Sequence, residues 1–200
     1  MTKDFFAEKA STFEQNLSQV DNVEQIAQAM LAAFALEKSM RIVDFGSGTG
    51  LLLERIAPHV GSITAVDVSP AMNRQLEQKL PGLGCAVEML AVDLENADID
   101  GPFDGIISSM TLHHIRDVAA LLKKLHALLV PGGFIAVADL DSEDGSFHSE
   151  DTGVYHNGFD RDEIAALARG AGFRNVEVTT ASVIHKPQRD YPVFLLAARR

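Results

Sequence analysis

The sequence has little of several features that would define its class at once. It has one cysteine, Cys85, among 200 residues, which excludes an intramolecular disulfide and a cysteine-rich zinc site. Basic residues are also scarce: 17 Lys and Arg stand against 28 Asp and Glu, and the formal net charge is −11. Because nucleic-acid binding depends on clustered Lys and Arg, we expect no nucleic-acid partner.

Long hydrophobic runs are missing as well. No uninterrupted apolar stretch approaches the roughly 18 residues of a membrane span. The opening MTKDFFAEKASTFEQ carries acidic residues where a secretory signal would be apolar. We therefore expect a cytoplasmic protein without a membrane partner. With 46% hydrophobic and 22% charged residues, the chain can bury the core of a single domain.

From Arg41 onward, short apolar runs alternate with stretches of helical periodicity. Strands separated by helices indicate a mostly parallel sheet that is covered on both faces. We predict strands over Arg41–Phe45, Ile63–Val68, Ala86–Val92, Phe103–Ser109, Gly133–Ala138, Asn175–Thr180 and Val193–Ala198.

Capping residues mark where the helices begin. Asp21 and Glu24 have the spacing of a capping box ahead of an apolar stripe that reaches Phe34. Ser69 precedes a proline suited to the first helical position. Asp117 and Asp160 precede two further stripes, and each predicts a helix N-terminus.

Two segments fit this alternation poorly. We predict a single domain over residues 1–200. Residues 1–40, which precede the first predicted strand, would form an N-terminal helical lid or cap. Residues 139–159 form a long, polar stretch that carries aromatic residues. Because long loops inside compact domains are often functional, we predict residues 139–159 as a substrate-side loop.

The strongest local signal is VDFGSGTG, which lies between a predicted strand and a helix. Gly46, Gly48 and Gly50 permit positive φ and let the main chain approach a ligand. No lysine follows as a P-loop requires, and GxGxG differs from the dinucleotide fingerprint GxGxxG, which disfavours nicotinamide-dependent redox chemistry. Asp44, just ahead of the glycines, favours a ligand that carries a cation.

Further polar residues stand at the ends of the predicted strands. They are Asp67, Asp93 and the pair Ser109–Met110. Open α/β sheets bind ligands at the carboxyl ends of their strands, and a carboxylate at Asp67 can bind both hydroxyls of a ribose. Together with Asp44, these residues predict a nucleoside site with a cationic group near Asp44.

On these residues, the chain resembles the class I S-adenosylmethionine-dependent methyltransferases over roughly residues 5–198. VDFGSGTG is similar to the first motif of that family, AVDVSPAM to the second and AVDLEN to the third. FDGIISSMTLHHI and LLVPGGFIAVADL resemble the fourth strand and the helix–PGG–strand segment. The resemblance implies a Rossmann-like, doubly wound α/β fold. Its seven-stranded sheet would have the order 3-2-1-4-5-7-6, with strand 7 antiparallel and helices on both faces.

The resemblance also implies S-adenosylmethionine as cofactor, with S-adenosylhomocysteine as product. Asp67 would bind the ribose, Val68 and Met72 would flank the adenine, and Asp93 and Leu94 would meet its amino group and ring. Phe13, in KASTFEQ, would cover the methionine moiety in place of the commoner tyrosine. The implied cofactor-binding residues are Phe13, Asp44, Gly46, Ser47, Gly48, Thr49, Gly50, Asp67, Val68, Met72, Asp93, Leu94, Ser109 and Met110.

Methyl transfer from a sulfonium is an in-line displacement, and a general base is needed only if the acceptor arrives protonated. Two histidines of the 139–159 loop, His148 and His156, are the candidate catalytic residues. His113 and His114 follow the fourth strand, where family histidines often shape the pocket. The acidic residues Asp139, Asp141, Glu143 and Asp144 lie where catechol-type methyltransferases hold magnesium. Their spacing differs from that pattern, so we predict no metal.

The leading hypothesis is an S-adenosylmethionine-dependent methyltransferase that acts on a small molecule, as a monomer or homodimer. The size of the chain favours a small-molecule acceptor over a docked polymer. Two alternatives stay open: a protein or peptide methyltransferase, and a non-catalytic S-adenosylmethionine-binding module. A module would not need an acceptor-side residue such as His148 or His156.

Overall fold

The computed structural model describes residues 4, 5, 7, 9–148, 150 and 152–200. The strands are β1 Arg41–Phe45, β2 Ser62–Val66, β3 Ala86–Leu90, β4 Phe103–Ser109, β5 Leu129–Leu140, β6 Arg174–Lys186 and β7 Arg189–Arg199. The α-helices of the described residues are α1 Leu17–Ala33, α2 Leu51–Ile56, α3 Pro70–Lys79, α4 Val118–Leu128 and α5 Arg161–Gly170.

The seven strands form one sheet in the order β3-β2-β1-β4-β5-β7-β6. β7 runs antiparallel to both β5 and β6, and the other pairings are parallel. This topology confirms the predicted order and the antiparallel seventh strand. The chain order reverses between β1 and β4, where an open α/β sheet forms a ligand-binding crevice at its carboxyl ends.

The predicted strand bounds are confirmed for β1 and β4, and the last three strands are longer than predicted. β5 begins at Leu129 because Leu129 already pairs with Phe103, ahead of an irregularity at the PGG turn. β6 and β7 continue as a hairpin to Lys186 and Arg189. Residues 181–186 of β6 are mostly half-buried, and Arg189 and Asp190 at the start of β7 are exposed, so this end of the hairpin lacks the continuous apolar run that marks a fully buried strand.

The predicted capping box of the first helix was wrong. Helix α1 begins at Leu17, and the side chain of its N-cap, Asn16, accepts from the backbone N–H of Ser18. Asp21 therefore lies inside the helix. The other predicted caps are confirmed: the side chains of Ser69, Asp117 and Asp160 each accept a backbone N–H from the first turn of their helix.

Helices bury apolar side chains on both faces of the sheet. Helices α4 and α5 pack residues such as Leu122 and Ile164 on one face. Helices α1 and α2 pack residues such as Ile26 and Leu53 on the other face. This arrangement fixes the central strands and leaves their carboxyl ends to form the site. None of the helices in the described residues is both long enough and apolar enough to cross a bilayer.

Candidate functional site

The glycine loop joins β1 to α2 through left-handed backbone. Gly46, Gly48 and Gly50 have φ of 73°, 53° and 86°. The N–H groups of Gly46 and Ser47 donate to the carbonyl of Val66, which ties the loop to the end of β2. A β-carbon at Gly46 would lie 2.1 Å from Oγ1 of Thr111. At Gly48, by contrast, no described atom lies within 4 Å of that position, so the loop borders open space there.

Four buried oxygen atoms around this loop have no hydrogen-bond partner among the described residues. They are Oδ2 of Asp44 and the hydroxyls of Ser47, Thr49 and Ser109. A buried polar atom without a partner costs free energy, so four at one place indicate a polar ligand. Burial, with a smaller contribution from Asp67, raises the pKa of Asp44 to about 8. A cation beside Asp44 would stabilise its carboxylate.

Asp67 lies next to the glycine loop, as the sequence predicts. Its Oδ2 accepts from the N–H of Gly48 and its Oδ1 from the N–H of Ser69, both at 2.8 Å. Burial raises the pKa of Asp67, and this effect outweighs the two hydrogen bonds, which lower it. Each carboxylate oxygen keeps a further lone pair for a ligand hydroxyl. The neighbouring Val68 exposes 63% of its surface, which is unusual for an apolar side chain and provides a contact for an apolar ring.

The residues after β3 and β4 have mixed placements. Asp93 is exposed, and its carboxylate accepts from the N–H of Glu95 and the side-chain amide of Asn96. Leu94 is buried in the apolar core that includes α4. Ser109 ends β4 and Met110 follows it with φ of 56°, its N–H donating to the carbonyl of Ala138.

The described part of residues 4–15, called the N-terminal segment below, reaches both α3 and the 139–159 loop. Phe13 packs against a small buried cluster formed by Ala10 with Ala71 and Met72 of α3, and the hydroxyl of Ser69 donates to Asp4. At the other end, Lys9 forms an ion pair of 2.8 Å with Glu150. The two segments predicted as covers are therefore in contact. Residues 1–3, 6 and 8 of the predicted lid, and 149 and 151 of the loop, lie outside the described residues.

The 139–159 loop begins two residues later than predicted, since Asp139 and Leu140 belong to β5. His148 of this loop lies beside the turn after β4, with its ring 5.3 Å from that of His113. Its Nδ1 is 3.2 Å from Oγ1 of Thr152, and its Nε2 is buried with no partner among the described residues. Burial, followed by the charge of His113, lowers the pKa of His148 to about 4, so the imidazole is neutral at neutral pH.

His156 has a different environment. Its Nε2 donates to the carbonyl of Ile115 over 2.9 Å, and its ring lies 5.0 Å from that of Phe159. The structure therefore brings His148 to the histidines after β4 and pairs His156 with the backbone.

The acidic residues after β5 have separate partners. Asp139 contacts His113, and Asp141 forms a two-point ion pair with Arg161. Glu143 accepts from the N–H of Phe147, and Asp144 from that of Ser146. The described residues hold no group of three or more His, Cys, Asp or Glu placed to bind a metal ion.

The buried pair of His113 and Asp139, with Nδ1 and Oδ1 2.7 Å apart, was not predicted from the sequence. The two residues are 26 positions apart, and no local motif links them. The available signal was topological: His113 follows β4 and Asp139 lies near the end of β5, its neighbour in the sheet. Thr111, against Gly46, was missed for the same reason.

The sequence of the chain is similar to those of known proteins of one family. Residues 18–178 match the family model described as a methyltransferase domain. The chain is 31% identical over 172 residues to an uncharacterized methyltransferase of Schizosaccharomyces pombe, covering 78% of this chain and 59% of that protein. It is 32% identical over 179 residues to malonyl-[acyl-carrier protein] O-methyltransferase of Geobacter sulfurreducens, covering 80% of this chain and 65% of that protein. The chain thus spans less than two thirds of the length of these relatives.

A solved structure shares the whole fold. It is a chain of the complex between the Haloferax volcanii Trm112 methyltransferase activator and its candidate methyltransferase, with a TM-score of 0.78. The match covers 100% of this chain and 99% of that chain at 19% identity. At this identity, the likeness shows the fold alone.

Proposed function

The chain belongs to the class I S-adenosylmethionine-dependent methyltransferases, and from that premise we propose that it transfers a methyl group from S-adenosylmethionine to a small molecule. One observation carries the cofactor assignment: the four buried oxygens around the glycine loop that lack a partner among the described residues. A ligand with ammonium and sulfonium groups would supply hydrogen bonds to them and a positive charge to Asp44.

The residues around the crevice fit the parts of S-adenosylmethionine. Backbone at the glycine loop and the carboxylate of Asp44 would bind its polar, cationic end. Asp67 would accept from the ribose hydroxyls with its remaining lone pairs. The adenine would lie near Val68 and Met72, with Asp93 at its amino group. Phe13, Ser109 and Met110 would line the remainder, and Leu94 would support the ring from the core.

S-adenosylmethionine supplies an activated methyl group, so much of catalysis rests on positioning the acceptor and excluding water. The N-terminal segment and the 139–159 loop would do both, since Lys9 and Glu150 already join them. His148 would contact the acceptor, because its buried Nε2 lacks a partner among the described residues. His156 would contribute to this cover by stabilising the loop through its hydrogen bond to the carbonyl of Ile115.

A second candidate is an acceptor carried on a protein. The observation that favours it is the similarity to a malonyl-[acyl-carrier protein] O-methyltransferase, whose name states a carrier-bound acceptor. The same cofactor site would serve either acceptor. We favour a free small molecule because the contact between the two covering segments leaves less access for a large partner.

Calorimetric titration tests the cofactor assignment. We expect micromolar-range binding of S-adenosylmethionine and S-adenosylhomocysteine, and no binding of NAD. Absence of binding by both sulfur nucleosides to the folded protein would overturn the proposal. Transfer of labelled methyl from S-adenosylmethionine into an ultrafiltered metabolite fraction, rather than into the protein fraction of the same extract, would then support the small-molecule acceptor.

A further inference from the structure

The turn after β4 holds a buried histidine–carboxylate pair. His113 exposes 2% of its surface and Asp139 none. Oδ1 of Asp139 lies 2.7 Å from Nδ1 of His113, and Oδ2 accepts from the backbone N–H of His113. Because a carboxylate accepts but does not donate, Nδ1 of His113 donates in this contact, and in the neutral ring Nε2 then carries the lone pair. Asp139 therefore fixes the tautomer in which Nε2 is the proton-accepting nitrogen.

The pair lies next to the proposed cofactor site. Thr111, two residues before His113, contacts Gly46 of the glycine loop. The ring of His148 reaches the same place from the 139–159 loop, 5.3 Å from the ring of His113. The loop is also held to this turn by its backbone, since the N–H groups of Tyr155 and His156 donate to the carbonyl of His113.

We propose that His113 is the general base that accepts the proton of a hydroxyl-bearing acceptor, with Asp139 as its positioning residue and His148 as a hydrogen-bonding contact to the acceptor. This assignment rests on the proposed function and deepens it by naming the substrate class. A hydroxyl is a poor nucleophile until its proton is removed, whereas a carboxylate arrives already ionised and would need no such base.

The surroundings of the pair favour this division of roles. His114 is 4.3 Å from His113 between ring centroids, and burial lowers the pKa of His114 to about 4. Burial, with smaller contributions from the charges of neighbouring residues such as Lys186, likewise lowers the pKa of His148 to about 4. Neither ring can hold a second proton easily, while the carboxylate of Asp139 lies 2.7 Å from Nδ1 of His113 and is placed to pair with an imidazolium formed there. His113 is thus the ring of this cluster suited to accept one.

The proposed step balances atoms and charge. The acceptor oxygen forms the new C–O bond as the S–CH₃ bond of the donor breaks. The O–H proton passes to Nε2 of His113, which becomes an imidazolium paired with Asp139. The positive charge lost from the sulfonium is thereby matched by the charge gained on His113, and S-adenosylhomocysteine leaves as a neutral thioether. Release of the proton to water restores the neutral ring.

The protonation state of His113 can be measured without an acceptor. Long-range ¹H–¹⁵N NMR of the wild-type protein with S-adenosylhomocysteine should show protonated Nδ1 and unprotonated Nε2 at neutral pH. In Asp139→Asn, the fixed tautomer should be lost. An Nε2-protonated neutral ring, or an imidazolium at neutral pH, would overturn the proposal, because neither could accept the proton.

The substrate class is tested with labelled methyl from S-adenosylmethionine and the ultrafiltered metabolite fraction. We expect a product whose label survives alkali, as an ether does, and a rate that falls about 100-fold in His113→Asn. Label released by alkali would indicate a methyl ester, hence a carboxylate acceptor, and would overturn the proposal. An unchanged rate in His113→Asn would do the same.

The chain offers a matched control. His185 and Asp190 form a second histidine–carboxylate pair with a 2.6 Å contact, but it is exposed on the β6–β7 hairpin. His185→Asn should leave the rate unchanged. Calorimetry separates the two proposals: binding of S-adenosylhomocysteine by His113→Asn within about twofold of wild type leaves the cofactor site intact. Lack of binding by the wild type would instead refute the proposed function itself.

Discussion

The backbone N–H of Gly48 donates to Oδ2 of Asp67 over 2.8 Å and joins the glycine loop to the end of β2. The other oxygen of the same carboxylate accepts from the N–H of Ser69, the N-cap of α3. One side chain therefore holds three elements in position around the crevice. Asp67 would contribute to the proposed site both by ordering the loop and by binding the ribose.

Replacing Asp67 by Asn tests this dual contribution. The variant loses the charge and places an amide donor against a backbone N–H, so we expect affinity for S-adenosylmethionine to fall about 10- to 100-fold, the range for a charged hydrogen bond. Calorimetry measures the affinity, and thermal unfolding shows whether the loop still orders. Asp21→Asn, on the exposed side of α1, is the control. Unchanged affinity in a folded Asp67→Asn protein would contradict the site assignment.

Alanine substitutions at two glycines, one in the loop and one outside it, can separate the effect of backbone strain from the effect of ligand contact. Gly48 and Gly132 both have positive φ, 53° and 82°, and a β-carbon added at either would have no described atom within 4 Å. Gly48→Ala and Gly132→Ala should therefore cost a similar free energy of unfolding, about 1–2 kcal/mol. Only Gly48→Ala should weaken S-adenosylmethionine binding, because its methyl group would enter the space where the cofactor approaches the main chain. Equal affinity in both variants would place the cofactor elsewhere.

Asp44 predicts a pH dependence of stability in the cofactor-free protein. Its folded-state pKa of about 8 lies above the ordinary aspartate value of 3.8, so the folded state binds the proton more tightly than the unfolded state. The contribution of Asp44 to stability is present below pH 4 and is lost as the pH rises to about 8.

Asp44→Asn removes this loss, because a neutral amide resembles the protonated acid. Relative to wild type, the variant should gain stability between about pH 5 and pH 8, with an upper limit of about 6 kcal/mol from the full shift. Denaturant unfolding across this range measures the gain. S-adenosylmethionine should stabilise the wild type more than the variant, because the variant offers its cation no charge. A variant whose stability parallels that of wild type at every pH would contradict the buried, unpaired state of Asp44.

The sequence predicted the sheet well and the site only in part, for physical reasons. β1 carries a buried apolar run into three glycines, and such local patterns determine both the strand and the loop. The start of α1 was misplaced because Asp21 and Glu24 satisfy the capping pattern, while Asn16 provides the actual cap. Contacts between distant segments leave no local pattern. The pairing of His113 with Asp139 depends on strand order, which the local sequence does not encode.

Hydrogen bonds from both backbone and side chains hold the 139–159 loop to the residues after β4. Nε2 of His156 donates to the carbonyl of Ile115, while the N–H groups of Tyr155 and His156 donate to that of His113. His156→Ala removes the side-chain bond and should raise amide hydrogen exchange in residues 152–158 without affecting the β6–β7 hairpin. Since this loop would cover the acceptor, turnover should fall more than cofactor affinity. His185→Ala, on that hairpin, is the control. If exchange in residues 152–158 were unchanged in His156→Ala, the loop would be held without the side chain of His156, and His156 would have no part in covering the site.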